Sequence, residues 1–373
     1  MPDTRKEPSK PASLGGPPEE TRAMRVSDFD YDLPPELIAQ HPLPHRDDSR
    51  LMVVERTSGR IRHGRFKDFP GFMRPGDLLV LNDTKVVPAK AWGERIGTGA
   101  GGAAAKIEFL FVRELAAGLW EVMCRPARKL QKGDAVRFGA GLEARVEEIG
   151  EEGKRVLRFD RPDVRSALDL IGYAPLPPYI KRTREDRDGR AEDLARYQTV
   201  FARRDGAIAA PTAGLHFTPE VLAALETDGI EIGRVTLDVG PATFQPVRVE
   251  AVAEHKMLEE TYEIAPDAAR RINTAKAEGR PVAAVGTTVV RTLESAWREG
   301  RVRAGRRATS MFIYPGYEYH VVDRLLTNFH LPKSTLLMLV SALAGRELIM
   351  RAYCEAVRER YRFFSYGDCM LIL

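Results

Sequence analysis

The chain has 373 residues, with hydrophobic residues at 43%, charged residues at 29% and a formal charge of +4, which fits two domains or one large domain carrying an insertion. No apolar run reaches membrane-spanning length, and Cys124, Cys354 and Cys369 stand too far apart for a disulfide framework or a zinc site. A reducing, cytoplasmic setting is expected, and so small a charge does not by itself announce nucleic acid.

Met1 to Ala23 is rich in proline, glycine, serine and glutamate, with four basic and four acidic side chains. It reads as a disordered tail that is neither a secretory signal nor a transit peptide. Folding is expected to begin near Met24. Asp32 to His41 reads as a short helix started by proline. A charged turn with His45, Arg46, Asp47, Asp48 and Arg50 then leads into the apolar Leu51 to Val54. Leu78 to Leu81 is strand-like, and Asn82, Asp83, Thr84 and Lys85 close it with polar groups, either as a plain turn or as a ligand cup.

Between Ala89 and Asp160 the texture changes. Alternating runs at Lys106 to Val112, Leu119 to Cys124, Ala135 to Phe138, Ala144 to Ile149 and Arg155 to Phe159, separated by glycine-containing turns, predict a small antiparallel sheet or barrel. Gly97 to Gly102, GTGAGG, lacks the glycine spacing of a dinucleotide fingerprint and enters a strand where a phosphate loop opens a helix, so it reads as a hairpin loop.

Lys181 to Arg204 holds eight basic and five acidic residues. It reads either as a mobile solvated loop or as a phosphate-contacting one. From Ala207 the pattern turns α/β. A short buried strand, Ala207 to Ala210, leads into AAPTAGLHFT, and Thr218-Pro219-Glu220 starts a helix. His216 therefore sits on a loop after a strand, either as a reactive group or as a turn histidine satisfying backbone groups. A strand from Glu231 to Val239 follows, then a helix from Pro266 to Glu278. The strand Val282 to Val285 meets Gly286-Thr287-Thr288, where a helix start presents free N–H groups to an anion or is simply capped by threonine. Arg301, Arg303, Arg306 and Arg307 form a basic patch; Thr327 to Pro332 ends another strand, and Ser334 or Thr335 caps the apolar helix Leu336 to Ala344. In the last helix's wake, Tyr361 to Asp368 interleaves aromatic and basic residues, as base-stacking surfaces and aromatic cores both do.

Ordered blocks along nearly all of Met24 to Leu373, among them DYDLPPELIAQHPLPHRDDSRL, GDLLVLNDTKVVPA, PLPPYI, YQTVF, AAPTAGLHFT, TFQPVR, AVGTTVVRTLES, FIYPG, TNFHLPKSTLLMLVSALAG and YRFFSYGD, resemble the S-adenosylmethionine:tRNA ribosyltransferase-isomerases of queuosine biosynthesis. The resemblance implies an α/β domain, residues 24–85 and 173–373, built on a mostly parallel sheet with flanking helices and interrupted by an antiparallel β-barrel at 86–172. It also implies the reaction. The ribosyl part of S-adenosylmethionine moves to 7-aminomethyl-7-deazaguanine at the wobble position of a tRNA with a GUN anticodon, epoxyqueuosine forms, and adenine and methionine leave. S-adenosylmethionine is then a consumed co-substrate, with no metal and no membrane partner expected. Family members often carry histidine where this chain has Asp238, and NNTRV where it has Asn82-Asp83-Thr84-Lys85-Val86.

That chemistry needs a base beside the ribose C5′ next to the sulfonium, and His216 is the candidate, on a loop shared with Thr212. Asp83 or Glu294 is placed to protonate the leaving adenine, Asp238 is a candidate acceptor for the amine proton, and Thr287, Thr288 and Arg291 for holding the methionine carboxylate. Asn82, Thr84, Lys85, Asn328 and His330 complete the expected composite site. Lys181, Arg182, Arg184, Arg203, Arg204, Arg306 and Arg307 are the candidate tRNA phosphate contacts. Two other readings fit the α/β units and basic loops: an S-adenosylmethionine-dependent RNA methyltransferase, which the missing glycine fingerprint opposes, and a non-catalytic RNA-binding protein.

Overall fold

The structure, a computed structural model, describes residues 23–96, 104–182, 189–240 and 247–373. Nearly all of the expected tail, the Gly97 to Gly102 loop and Arg184 lie outside the described residues. In chain order the first elements are β1 (Arg50–Val54), β2 (Ile61–Arg65), β3 (Leu78–Asn82) and β4 (Thr84–Val86). Next come β5 (Lys90–Ile96), β6 (Ala105–Ala116), β7 (Leu119–Arg125), β8 (Ala135–Phe138), β9 (Glu143–Ile149) and β10 (Lys154–Phe159), then α1 (Val164–Ile171) and α2 (Arg190–Arg196). They are followed by β11 (Arg204–Ala207), α3 (Pro219–Thr227), β12 (Glu231–Leu237), β13 (Glu260–Ile264), α4 (Pro266–Ala277), β14 (Val282–Val285) and α5 (Thr287–Ala296). The chain then runs through β15 (Trp297–Arg298), β16 (Arg301–Val302), β17 (Gly305–Thr309), β18 (Arg324–Asn328), α6 (Thr335–Ala344), α7 (Arg346–Arg358) and β19 (Cys369–Ile372).

Strands β5 to β10 close into a six-stranded barrel in the order β10, β7, β6, β5, β8, β9, with every pairing antiparallel. Alternation explains it: Ile107, Phe109 and Phe111 point inward along β6 and meet Val122, Val136, Phe138 and Leu157. Gly93 leaves room for them, because a Cβ there would lie 2.6 Å from Val136 Cγ1 and 2.9 Å from the rings of Phe109 and Phe138.

The second sheet has nine strands in the order β17, β13, β12, β3, β14, β18, β19, β1, β2. The expected mostly parallel sheet is mixed instead. Pairs β12–β3, β3–β14, β14–β18 and β19–β1 are parallel; the pairs β17–β13, β13–β12, β18–β19 and β1–β2 are antiparallel. The physical reason is that hydrophobic period reports burial and not direction: β2 and β13 turn back on the strand before them, and β19 returns antiparallel to β18. Both faces of the sheet centre are covered. Leu78 and Val80 of β3 pack with Ile272 and Ala275 of α4 and Val289 and Leu293 of α5, whereas Leu79 and Leu81 pack with Val221 and Leu225 of α3 and with Phe66 and Phe217. No helix among the described residues is long and apolar enough to cross a membrane.

Three local expectations change. The helix over Asp32 to His41 is only a 3-10 turn, Pro35–Leu37, because Ile38 turns extended to bridge Phe363. The strand before AAPTAGLHFT is β11, which ends at Ala207, although Ala207 to Ala210 are buried as expected. The run Lys181 to Arg204 contains α2, tied down by side chains described below. In the aromatic stretch after α7, Tyr361 and Phe363 are wholly buried, which is core packing and leaves no stacking face.

Candidate active site

Parallel strands β12, β3, β14 and β18 all end on one side of the sheet, and β3 sits where the chain departs first toward β12 and later toward β14. Ligands of open sheets bind at such a reversal, outside the carboxyl ends. Asn82, the last residue of β3, spends its amide on cross-links: Nδ2 donates to the Leu237 carbonyl (3.1 Å) and Thr288 Oγ1 (3.4 Å), while Oδ1 accepts from the N–H groups of Leu237 (3.0 Å) and Thr84 (3.2 Å). It behaves like a piece of strand backbone joining β3, β12 and α5. Next to it, the hydroxyl of Thr236 donates to Asp83 Oδ1 at 2.6 Å, and Thr84 Oγ1 donates to Asp238 Oδ1 at 3.2 Å. Asp83 is buried and Asp238 half-buried. Burial pushes the Asp238 carboxyl up from its ordinary value, opposed by the Thr84 hydrogen bond. Gly206 of β11 runs against this carboxylate, since a Cβ there would be 2.7 Å from Asp238 Oδ1. Lys85 points outward and pairs with Asp205 at 3.1 Å.

His216 ends a 3-10 turn, Thr212–His216, in which Thr212 is half-buried. The ring is 3% exposed; Nδ1 is 2.9 Å from Ser49 Oγ and Nε2 is 3.1 Å from Asn328 Nδ2. Ser49 donates its own proton to the Arg46 carbonyl, and the Asn328 amide nitrogen also donates to the Phe364 carbonyl, so the network places the imidazole proton on Nδ1. Burial first, then the charges of Arg46 and Arg362, push the imidazole down to about 3. The ring is a neutral, fully engaged group beside a crevice of only about 20 Å³.

His330 lies apart, with Nε2 2.8 Å from Thr327 Oγ1 and its backbone N–H donating to the Tyr353 hydroxyl at 3.0 Å; burial pushes it also to about 3. Thr287 opens α5 after Gly286, whose φ of 89° suits glycine. Arg291 is 5% exposed, ion-paired with Glu260 and bonded to the Met311 carbonyl. Its Nη2 and the Oδ1 of Asn328 are buried without a partner among the described residues. Glu294 is fully used elsewhere: it accepts from Tyr317 Oη and the N–H groups of His320, Val321 and Val322 at 2.9–3.0 Å, which pins that loop and takes it away from an adenine ring.

The basic candidates divide. Arg182 grips Asp193 of α2 in a bidentate pair at 2.7 and 2.8 Å, an internal clamp. Lys181, Arg203 and Arg204 are exposed, as are Arg306 and Arg307 on the edge strand β17; Arg204 pairs with Glu263 at 2.7 Å. Cavities line up along the same rim. One of about 270 Å³ touches Asp83, Arg203, Arg204 and Thr236, and another of about 140 Å³ touches Arg204, Thr236, Asp238 and Arg306. A larger cleft of about 620 Å³ lies between the barrel, at Trp92 and Phe138, and residues of the following stretch, among them Leu170, Leu176, Arg182 and Asp193. Of the expected site residues that are described, only Arg182 borders it.

Ser49, Thr236 and Glu260 hold the candidate residues in place and were not singled out in the sequence. Ser49 and Thr236 lie inside the quoted DDSRL block and beside Asp238, where a hydroxyl next to a carboxylate or histidine is a usable signal. Glu260 carries no such signal, because it meets Arg291 from 31 residues away in the chain.

An open mixed sheet ending in a hydrogen-bonded polar layer, joined to a closed barrel, defines an α/β protein whose strand ends are the candidate ligand site. The chain belongs to the queuosine biosynthesis protein family, whose model matches residues 26–372. It is similar to the S-adenosylmethionine:tRNA ribosyltransferase-isomerase of Halothermothrix orenii, 52% identical over 353 residues that cover 94% of this chain and 100% of the relative. The enzyme of the same name from Moorella thermoacetica is 51% identical over 354 residues, again 94% and 100%. Among solved structures, the S-adenosylmethionine tRNA ribosyltransferase of Thermotoga maritima matches with 38% identity and a TM-score of 0.52, covering 93% of this chain and 100% of that one.

Proposed function

We propose that this chain is an S-adenosylmethionine:tRNA ribosyltransferase-isomerase. The observation that carries the reading is the match, at about half identity, to the full length of relatives bearing that name. It leaves the methyltransferase and binding-module readings without support. The substrates are S-adenosylmethionine, consumed in the reaction, and a tRNA with a GUN anticodon carrying 7-aminomethyl-7-deazaguanine. The ribosyl group is transferred and isomerised to epoxyqueuosine, and adenine and methionine are released. We assign the enzyme to the cytoplasm, with no metal in the reaction.

The geometry supports a division of labour at the strand ends. A base must take the C5′ proton beside the sulfonium. Asp238 is better suited than His216: its carboxylate borders a cavity, and burial makes it more basic than an ordinary aspartate. Family members often place histidine there, another group able to take a proton. His216 accepts an amide hydrogen bond at Nε2 and titrates near 3, so it suits the role of holding Ser49, Asn328 and the loop in register. Asp83, held by Thr236, is the remaining acid for adenine departure, and the unpaired Nη2 of Arg291, with Thr287 and Thr288, suits the methionine carboxylate.

Incubation with S-adenosylmethionine and precursor-bearing tRNA tests the activity; release of adenine plus methionine is expected, and release of S-adenosylhomocysteine would refute it. Asp238→Asn is expected to lower kcat by about 10²–10⁴, with the acid limb of the pH–rate profile lost and the KM for S-adenosylmethionine little changed. If Asp238→Asn keeps near-normal turnover while folded His216→Ala loses it, the base role returns to the imidazole.

A further inference from the structure

The 270 Å³ cavity beside Asp83 has an uneven charge balance. Arg203, Arg204, Arg234 and Arg271 line it. Two are neutralised locally, Arg204 by Glu263 at 2.7 Å and Arg271 by Asp267 at 2.9 Å. Asp83 Oδ1 accepts from the Thr236 hydroxyl. Arg203 and Arg234 make no side-chain ion pair among the described residues, and Nε of Arg234 is buried without a hydrogen-bond partner. Burial, and then the charge of Arg203, pull the Arg234 guanidinium below its ordinary value, against the opposing charges of Asp83 and Glu226.

Nothing in packing calls for two unpaired guanidinium groups here. A forked donor with unmet hydrogens, opposite a second cation, matches a phosphate, which takes bidentate hydrogen bonds and relieves the repulsion at once. The start of α4, at its N-cap Ala265 and at Asp267 and Ala268, borders the same cavity. The volume far exceeds the ~30 Å³ that a water takes in the liquid. The location restricts the source of the phosphate. Arg204, Thr236 and Glu263 also wall the cavity that holds Asp238, so an anion at Arg203 and Arg234 lies one step along the rim from the proposed chemistry.

We propose that the Arg203–Arg234 pocket binds a backbone phosphodiester of the substrate RNA, next to the nucleotide presented at Asp83 and Asp238. This rests on the ribosyltransferase reading for the identity of the RNA, but the pocket is tested by binding and not by turnover. The probe is unmodified tRNA labelled at one end, titrated by fluorescence anisotropy over a salt series, with wild type, Arg203→Gln, Arg234→Gln and the double variant. The double variant is expected to weaken binding at least tenfold and to lower the magnitude of the log K against log salt slope by about one to two. The exposed Arg203→Gln alone should weaken it severalfold, which keeps the test open if Arg234→Gln disturbs folding. Inorganic phosphate should compete with tRNA in the wild type and much less in the variant. Unchanged tRNA affinity and salt slope would overturn the proposal. So would an increased KM for S-adenosylmethionine with tRNA binding intact, which would give the pocket to the small substrate. A wild type that binds tRNA in this manner yet releases no adenine would refute the activity and leave the pocket standing.

Discussion

At the scale of single residues, the buried histidines have a consequence for pH. Imidazoles of His216 and His330 both titrate near 3 in the native chain, against about 6.5 when exposed. Below about pH 6.5 the unfolded chain takes up protons that the folded one refuses, so their contribution is complete above that value and is lost as pH falls toward 3. The loss is at most about 1.4 kcal/mol per pH unit for each histidine. Asp238 and Asp368, whose carboxyls burial pushes up, act with the opposite sign in the carboxylate range, so the clean window is pH 7 to 5.5. The urea midpoint should fall across it, and fall less in His330→Gln; a flat midpoint would refute the account. Residue by residue, the sequence named several candidates that the fold brings together, but not the partners that engage them. Asn82, Asn328 and Asp238 do meet other expected residues through hydrogen bonds. Glu294 and Arg182 look equally reactive on paper, yet each is consumed by partners that only the fold supplies, a loop of backbone N–H groups for one and Asp193 for the other.

At the scale of elements, the barrel strands β6 to β10 were the most legible because each alternates in and out with period two, and their bounds match the five runs within a few residues, whereas β5 was not among those runs. Helix α3 was equally plain: Thr218 caps it by accepting from the Val221 N–H at 3.2 Å, and Pro219 occupies its first turn. Helix α2 was hidden, since RAEDLAR has no apolar stripe and is held by Arg182, and by Arg196 reaching the Leu43 carbonyl. The barrel also has a point where small size is obligatory. Gly93→Ala would push a methyl group into Val136, Phe109 and Phe138. It is expected to cost about 1–3 kcal/mol, read as a lower thermal midpoint, and an unchanged midpoint would mean that the barrel wall yields freely.

At the scale of the whole molecule, the sheet's order was beyond the reach of local pattern. Strand β19 is an apolar run, CMLI, that reads as buried, but nothing in it says that it lies between β18 and β1, antiparallel to the first and parallel to the second. Among the described residues, that insertion makes β19 the sole strand bridging the β1–β2 hairpin to the rest of the sheet. Ending the chain at Asp368 should therefore leave the barrel folded while the hairpin comes loose, seen as rapid proteolysis near Arg60 and Arg62 in a protein that keeps part of its far-ultraviolet signal. Equal protection of both regions would show that the hairpin is held by other contacts.

The same arrangement sets an order of events during synthesis. The β1–β2 hairpin is among the first parts of the folded region to be made, yet the strand it pairs with emerges only after every other element has been translated. Until then its inward-facing Leu51 and Val53 have no β19 beside them, and the edge of β1 offers unpaired N–H and C=O groups. The nascent chain carries an adhesive edge until β19 has been made, a period in which capture by a chaperone competes with pairing to a neighbouring chain on the same polysome.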